Sequence, residues 1–181
     1  MAPAAPAPAH PARSALIVEV SEADRVVGEF RTPWDEAATL GVPAHVSVLV
    51  PFLPPDTIDP SARTRLAGVF AGFTRFDATF TETGWFGDRT LWLAPEPADT
   101  FRKLTTALVD AFPHCVPYGG RHDDVVPHLT VAHDAGREEM EQVQQQVRGS
   151  LPIRTTVSGV SLWSGTDEPG SWRRVTTFRL G

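Results

Sequence analysis

The segment PAHVSVLVPF, residues 43–52, decides how the chain is read, because VPHLTVAH at 126–133 says nearly the same thing again. Each places a histidine after a short proline-containing lead-in and a hydroxyl residue two places later, with apolar residues in the gaps. In a strand, residues i and i+2 share a face. His45 and Ser47 therefore face one way, and Val46, Val48 and Val50 the other. His128 and Thr130 share a face opposite Leu129 and Val131 in the same manner. Each strand has one apolar face for a core and one face carrying an imidazole and a hydroxyl, about 6–7 Å apart along the strand.

The surroundings repeat as well. ALIVEV (15–20) reads as a buried first strand, followed by SEADRVVGEFRTPW, polar and interrupted by Gly and Pro, and a short helix over 34–40 ending at Gly41. After the first histidine strand, which Pro51 stops, Asp59 and Pro60 open a helix with Leu66, Val69, Phe70 and Phe73 on one stripe. FDATFTETGWF and TLWLAP form a hairpin about GDR. The order then recurs: a helix with Phe101, Leu104, Leu108 and Ala111 inward, a Gly-rich loop, the second histidine strand, a helix with Met140, Val143 and Val147 inward, and two closing strands, PIRTTVSGVSLWS and SWRRVTTFRL. The histidines lie 128 − 45 = 83 residues apart, and a strand begins 45 residues after the first (Thr90) and 44 after the second (Trp172). Two repeats are too few for a solenoid. They predict an α+β fold of two pseudo-symmetric lobes, each an antiparallel sheet with helices packed outside, around a central cleft where the two polar faces meet.

Composition narrows the function. Of 181 residues, 41% are hydrophobic and 21% charged, as in a packed globular protein. Residues 14–181 make one bilobal domain, and the Pro/Ala-rich residues 1–13 read as a disordered leader in which His10 is idle. The net charge of −6 argues against a duplex DNA or RNA partner, which needs a basic face, while leaving room for a pocket that takes a single phosphate. A single cysteine, Cys115, forms no internal disulfide and fits a reducing compartment, the cytoplasm. No apolar run reaches the roughly 18 residues of a membrane span.

Two imidazoles and two hydroxyls converging on one small volume suit phosphodiester cleavage. One neutral imidazole takes a proton from the nucleophile while a protonated one gives a proton to the leaving oxygen, and an ordinary pKa near 6.5 allows both states near neutrality. The hydroxyls donate to non-bridging phosphate oxygens. No metal or other cofactor is required. Around the motifs, Arg121 in YGGRHDD is placed to reach a phosphate, Tyr118 and Phe52 to stack on a base, and Trp92 to face the cleft. His122, His133, Asp123, Asp124 and Asp134 show no metal-ligand spacing.

The pair HVSV and HLTV, within GVPAHVSVLVPF and YGGRHDDVVPHLTVAH, resembles the motifs of the 2H phosphoesterase superfamily, nearest its 2′-5′ RNA ligase-like branch. The likeness runs from about residue 14 to the end. It implies metal-independent hydrolysis or reversible formation of a phosphodiester at a ribose 2′-oxygen, in RNA processing, on a small nucleotide or RNA end. It implies His45 as proton donor and His128 as acceptor, with Ser47 and Thr130 on the phosphate. A nucleotide-binding module that keeps the cleft but turns over slowly, and a metal-dependent hydrolase, are the alternative readings. Substrate, direction of reaction and oligomeric state stay open.

Overall fold

The computed structural model describes residues 12–121 and 124–181. The leader, His10 included, falls mostly on residues 1–11 and lies outside them, as do His122 and Asp123. The first strand, β1 (Arg13–Glu19), begins two residues before the stretch the alternation marks, and its first residue pairs with Gly165.

Helix α1 (Ser21–Trp34) occupies the segment that Gly and Pro seemed to break. Ala23 and Val27 are fully buried, with Phe30 and Trp34 packed on the core below them, a stripe at i, i+4, i+7 and i+11. Gly28 faces open space, and Pro33 falls in the last turn, so the bond it cannot donate to the Glu29 carbonyl is one of the last in the helix. The expected helix over 34–40 is the single turn α2 (Glu36–Thr39), capped by Asp35, whose carboxylate accepts the Ala37 N–H at 3.0 Å.

The rest runs β2 (His45–Leu49), α3 (Pro60–Ala71), β3 (Phe76–Phe86), β4 (Thr90–Glu96), α4 (Ala98–Ala111), β5 (Leu129–His133), α5 (Arg137–Arg148), β6 (Ile153–Val157), β7 (Gly159–Gly165) and β8 (Arg173–Arg179). Two four-stranded antiparallel sheets result, in the orders β2-β1-β7-β8 and β5-β4-β3-β6. Each histidine strand is the outer strand of its sheet, and β2 lies against β5.

Two further features depart from expectation. The stretch read as one closing strand over 152–164 is two, β6 in one sheet and β7 in the other, with the chain crossing at Ser158. Gly159 permits the crossing: a Cβ there would sit 2.7 Å from the Phe178 carbonyl. The matched spacings of Thr90 and Trp172 are likewise not matched places. β4 lies beside its histidine strand, while β8 is at the far edge from β2; the counterpart of β4 is β1.

The helices cross over between the sheets. α1, which follows β1, packs on β5 and β6, and α4, which follows β4, packs on β2. One buried cluster accordingly joins Leu16, Val46 and Val48 of one sheet to Phe80, Leu91 and Leu129 of the other. Burying a Leu or Phe side chain stabilises by roughly 1.5–3 kcal/mol, so this shared core fixes the two histidine strands against each other.

Candidate active site

His45 opens β2, and His128 immediately precedes β5; both are half-buried. Their rings are held alike. Nδ1 of His45 lies 2.8 Å from the Pro43 carbonyl oxygen, and Nδ1 of His128 lies 2.8 Å from that of Val126. A carbonyl only accepts, so in both rings Nδ1 carries the hydrogen. In the neutral ring Nε2 is then the basic nitrogen, and in the charged ring it is the acid. The proline-containing lead-ins supply this geometry, each directing a carbonyl back at the ring two residues on.

Tyr118 joins the two motifs. Its hydroxyl shares a hydrogen bond with Ser47, and its ring lies nearly parallel to that of His128, with centroids 6.4 Å apart. Burial pushes the phenol up, and the Ser47 bond opposes this. Tyr118, Gly119 and Gly120 run through the left-handed region at φ of 52°, 62° and 75°. For Tyr118 that conformation is strained; the Tyr118 N–H, donated to the Val50 carbonyl at 2.6 Å, ties the turn to the end of β2.

The wall beside His128 is aromatic. Trp92 is the register partner of Thr130, and so shares its face. Its indole stacks on Phe86 at 4.9 Å, and the Phe86 ring meets His128 edge-on at 4.8 Å. The indole fits because Gly84 lies beneath it; a Cβ there would come within 2.3 Å of Trp92 Cζ2. The Trp92 N–H is buried and, among the described residues, has no partner. Gly84 and Phe86 went unread in the sequence: the alternation of Phe76, Ala78 and Phe80 carried forward puts both on the core face, and the irregularity between Phe80 and Glu82 turns them to the face of Trp92.

The background of His45 is ionic. Arg31 is 2% exposed and donates to Asp35 and to the Val42 carbonyl. Burial, and then the Arg31 charge, push the His45 imidazole below its ordinary value; the Pro43 bond and Asp35 oppose this, and the charge of His128 adds to the lowering. The two imidazoles are therefore close enough to feel one another.

Phe52 is not a stacking residue. It is 6% exposed and packs edge-to-face on Phe112 in the core, with no ring face left for a base. Arg121 ends the turn after Tyr118 with its side chain exposed. His133 is bound to the Thr90 hydroxyl at 2.7 Å and to Asp134 at 3.1 Å, and Asp134 to Arg89, a surface cluster on the outer rim. The described residues contain no group of three or more potential metal ligands. Cys115 is buried, and burial pushes its thiol up, away from nucleophilic use. Among the described residues no helix is long and apolar enough to cross a membrane.

The model of the 2′-5′ RNA ligase superfamily matches residues 18–169. A search of curated protein sequences finds no match. Among solved structures, the chain is similar to TT0787 of Thermus thermophilus, with a TM-score of 0.63, 18% identity and coverage of 93% of this chain and 97% of that one. It is also similar to E. coli LigT complexed with 3′-AMP, with a TM-score of 0.58, 16% identity and coverage of 94% and 98%. LigT complexed with NADP+ matches with a TM-score of 0.58, 15% identity and the same coverage. The likeness is one of fold.

Proposed function

The chain belongs to the 2′-5′ RNA ligase superfamily, and from that premise we propose that it is a phosphoesterase that cleaves, or reversibly forms, a phosphodiester at a ribose 2′-oxygen by acid–base catalysis between His45 and His128. One observation carries the reading: both rings spend Nδ1 on a backbone carbonyl two residues upstream, which leaves two equivalent Nε2 atoms for proton transfer. One Nε2 takes the proton of the attacking oxygen as its bond to phosphorus forms. The other gives its proton to the leaving oxygen as that bond breaks. Such transfers contribute typically 10²–10⁴-fold each. Ser47 and Thr130 donate to the non-bridging oxygens, Arg121 supplies charge from the loop, and Trp92 and Tyr118 offer ring faces to a base. The site needs no metal, because the imidazoles supply both proton transfers.

A small nucleotide or RNA end is the proposed substrate class. The aromatic wall suits one or two bases, and the net charge of −6 disfavours a long polyanion. LigT structures with 3′-AMP and NADP+ lend this support from the same fold.

The test is hydrolysis of 2′,3′-cyclic nucleotides, ADP-ribose 1″,2″-cyclic phosphate and 2′-5′ oligoadenylate in EDTA, with His45→Ala and His128→Ala beside the native protein. Turnover in EDTA that both substitutions abolish supports the reading. Turnover abolished by EDTA would establish a metal-dependent hydrolase. Nucleotide binding without turnover would establish a binding module.

A further inference from the structure

The sheet face that carries His45 continues past it. Register partners on neighbouring strands share a face, and Glu19 of β1 is the partner of His45. Trp163 of β7 partners Ala15, which lies on the same side of β1 as Glu19, and Arg174 of β8 partners Trp163. The strand order β2-β1-β7-β8 therefore leads from His45 to Arg174, away from β5 and His128. Hydrogen bonds tie the row together: Trp163 Nε1 donates to Glu19 Oε1 at 2.9 Å, and Arg174 Nη1 to Glu19 Oε2 at 3.2 Å.

Between this row and α1, with the turn after α2, lies a groove of about 570 Å³. That is within the roughly 300–1,000 Å³ of small-ligand clefts. Its wall includes Pro43, whose carbonyl accepts the Nδ1 hydrogen of His45 at 2.8 Å, so the groove begins beside the imidazole. Gly28 gives it depth. A glycine inside a helix is unfavourable, and no packing requires this one, since a Cβ there would meet nothing within 4 Å. The charges on the lining cancel. Glu19 is met by Arg174, and Asp24 Oδ1 lies 3.6 Å from Nη1 of buried Arg31. Val42, Pro43 and Trp163 add apolar surface. A neutral body with hydroxyls matches such a lining better than a further phosphate does.

We propose that this groove is a second subsite, which holds the nucleoside on the His45 side of the scissile phosphate. The aromatic wall beside His128 holds the nucleoside on the other side. The inference rests on the phosphoesterase reading above and narrows its substrate to a diester that joins two nucleosides, not a cyclic ester confined to one ribose. The second nucleoside lies against Val42 and Pro43, with Asp24 and Thr32 as partners for its hydroxyls.

Filling the groove tests this. In Gly28→Leu the new side chain leans toward the helix N-terminus, over Asp24, and enters the groove without displacing a packed atom. The substrates are adenylyl-(2′→5′)-adenosine and 2′,3′-cyclic AMP, assayed in EDTA. KM for the dinucleotide is expected to rise at least about 10-fold, several times more than KM for the cyclic ester. Gly28→Ala is expected to fall between, and neither variant to unfold at a lower temperature than the native protein. Equal effects on the two esters, or none on the dinucleotide, would overturn the subsite. So would a native protein that turns over the cyclic ester alone. If the native protein turns over neither, the phosphoesterase reading falls, and equilibrium binding decides the groove. Native protein that holds the dinucleotide at least about 10-fold more tightly than 3′-AMP, a difference that Gly28→Leu removes, supports the subsite. Equal binding of the two ligands contradicts it.

Discussion

The two histidine strands make an instructive pair because their sequences are so alike and their settings so different. β2 starts where buried Arg31, held by Asp35, and the partly exposed Asp24 grip the backbone before His45. β5 starts against Trp92 and Phe86, with Gly84 making room for the indole. The tether between Nδ1 and a carbonyl is common to both; everything that sets charge and shape beyond it is not. A duplicated motif supplies equivalent atoms in unlike surroundings, with an ion pair behind one histidine and aromatic rings beside the other.

Substitutions that touch one side alone sharpen this contrast. The largest effect is expected at a residue belonging to neither side. Phe52→Ala opens a cavity against Phe112 and costs about 3–5 kcal/mol in denaturant unfolding, while KM for a nucleotide holds; a raised KM at unchanged stability would return Phe52 to the cleft. Gly84→Ala is expected to push the indole off β3, costing about 1–3 kcal/mol and raising KM with little change in the titration of His45. If KM does not move, the aromatic wall is packing and not a ligand surface. Tyr118→Phe removes the bond to Ser47 but keeps the ring, for a loss of about 0.5–1.5 kcal/mol, read as a several-fold fall in kcat/KM.

The smallest effect concerns pH. Folded His45 binds its proton less readily than the unfolded chain does, so between the two pKa values the unfolded state carries more protons. The contribution of His45 to stability is complete above the ordinary value near 6.5 and is lost as pH falls from there through the lower folded value. His45→Gln is expected to flatten that part of the stability–pH curve, as followed by thermal unfolding at pH 5 to 8. An unchanged slope would assign it to other groups.

Much of this architecture is legible in the residues. The alternation in HVSVL and HLTVAH reports strands with one buried face, and the stripes of α3, α4 and α5 report their inner faces. What escaped did so for physical reasons. α1 carries Ala23, Val27, Phe30 and Trp34 at helical spacing, but Gly28 and Pro33 read as breaks, and the buried charge of Arg31 interrupts the apolar pattern on the very face that meets the core. The crossing at Ser158 does leave a mark: Ile153 and Val157 are buried at odd positions and Val160 and Leu162 at even ones, so the alternation shifts phase there, and Gly159 lies close against Phe178 at that point. Phe52 misled because it follows Pro51, where the strand period ends and no local pattern reports burial. Arg31 and Gly84 are intelligible only through what packs on them in three dimensions, Asp35, Asp24 and Val42 for the first and the Trp92 indole for the second.

The central claim is that the two motifs make one site. A double-mutant cycle on a cleaved ester tests it most directly, with His45→Ala, His128→Ala and the double variant assayed in EDTA. Groups that act as a unit are strongly non-additive, so the double variant is predicted to be no worse than the more damaging single one. Losses that multiply would mean that the two histidines act independently, and the repeated motif would then have no shared chemistry.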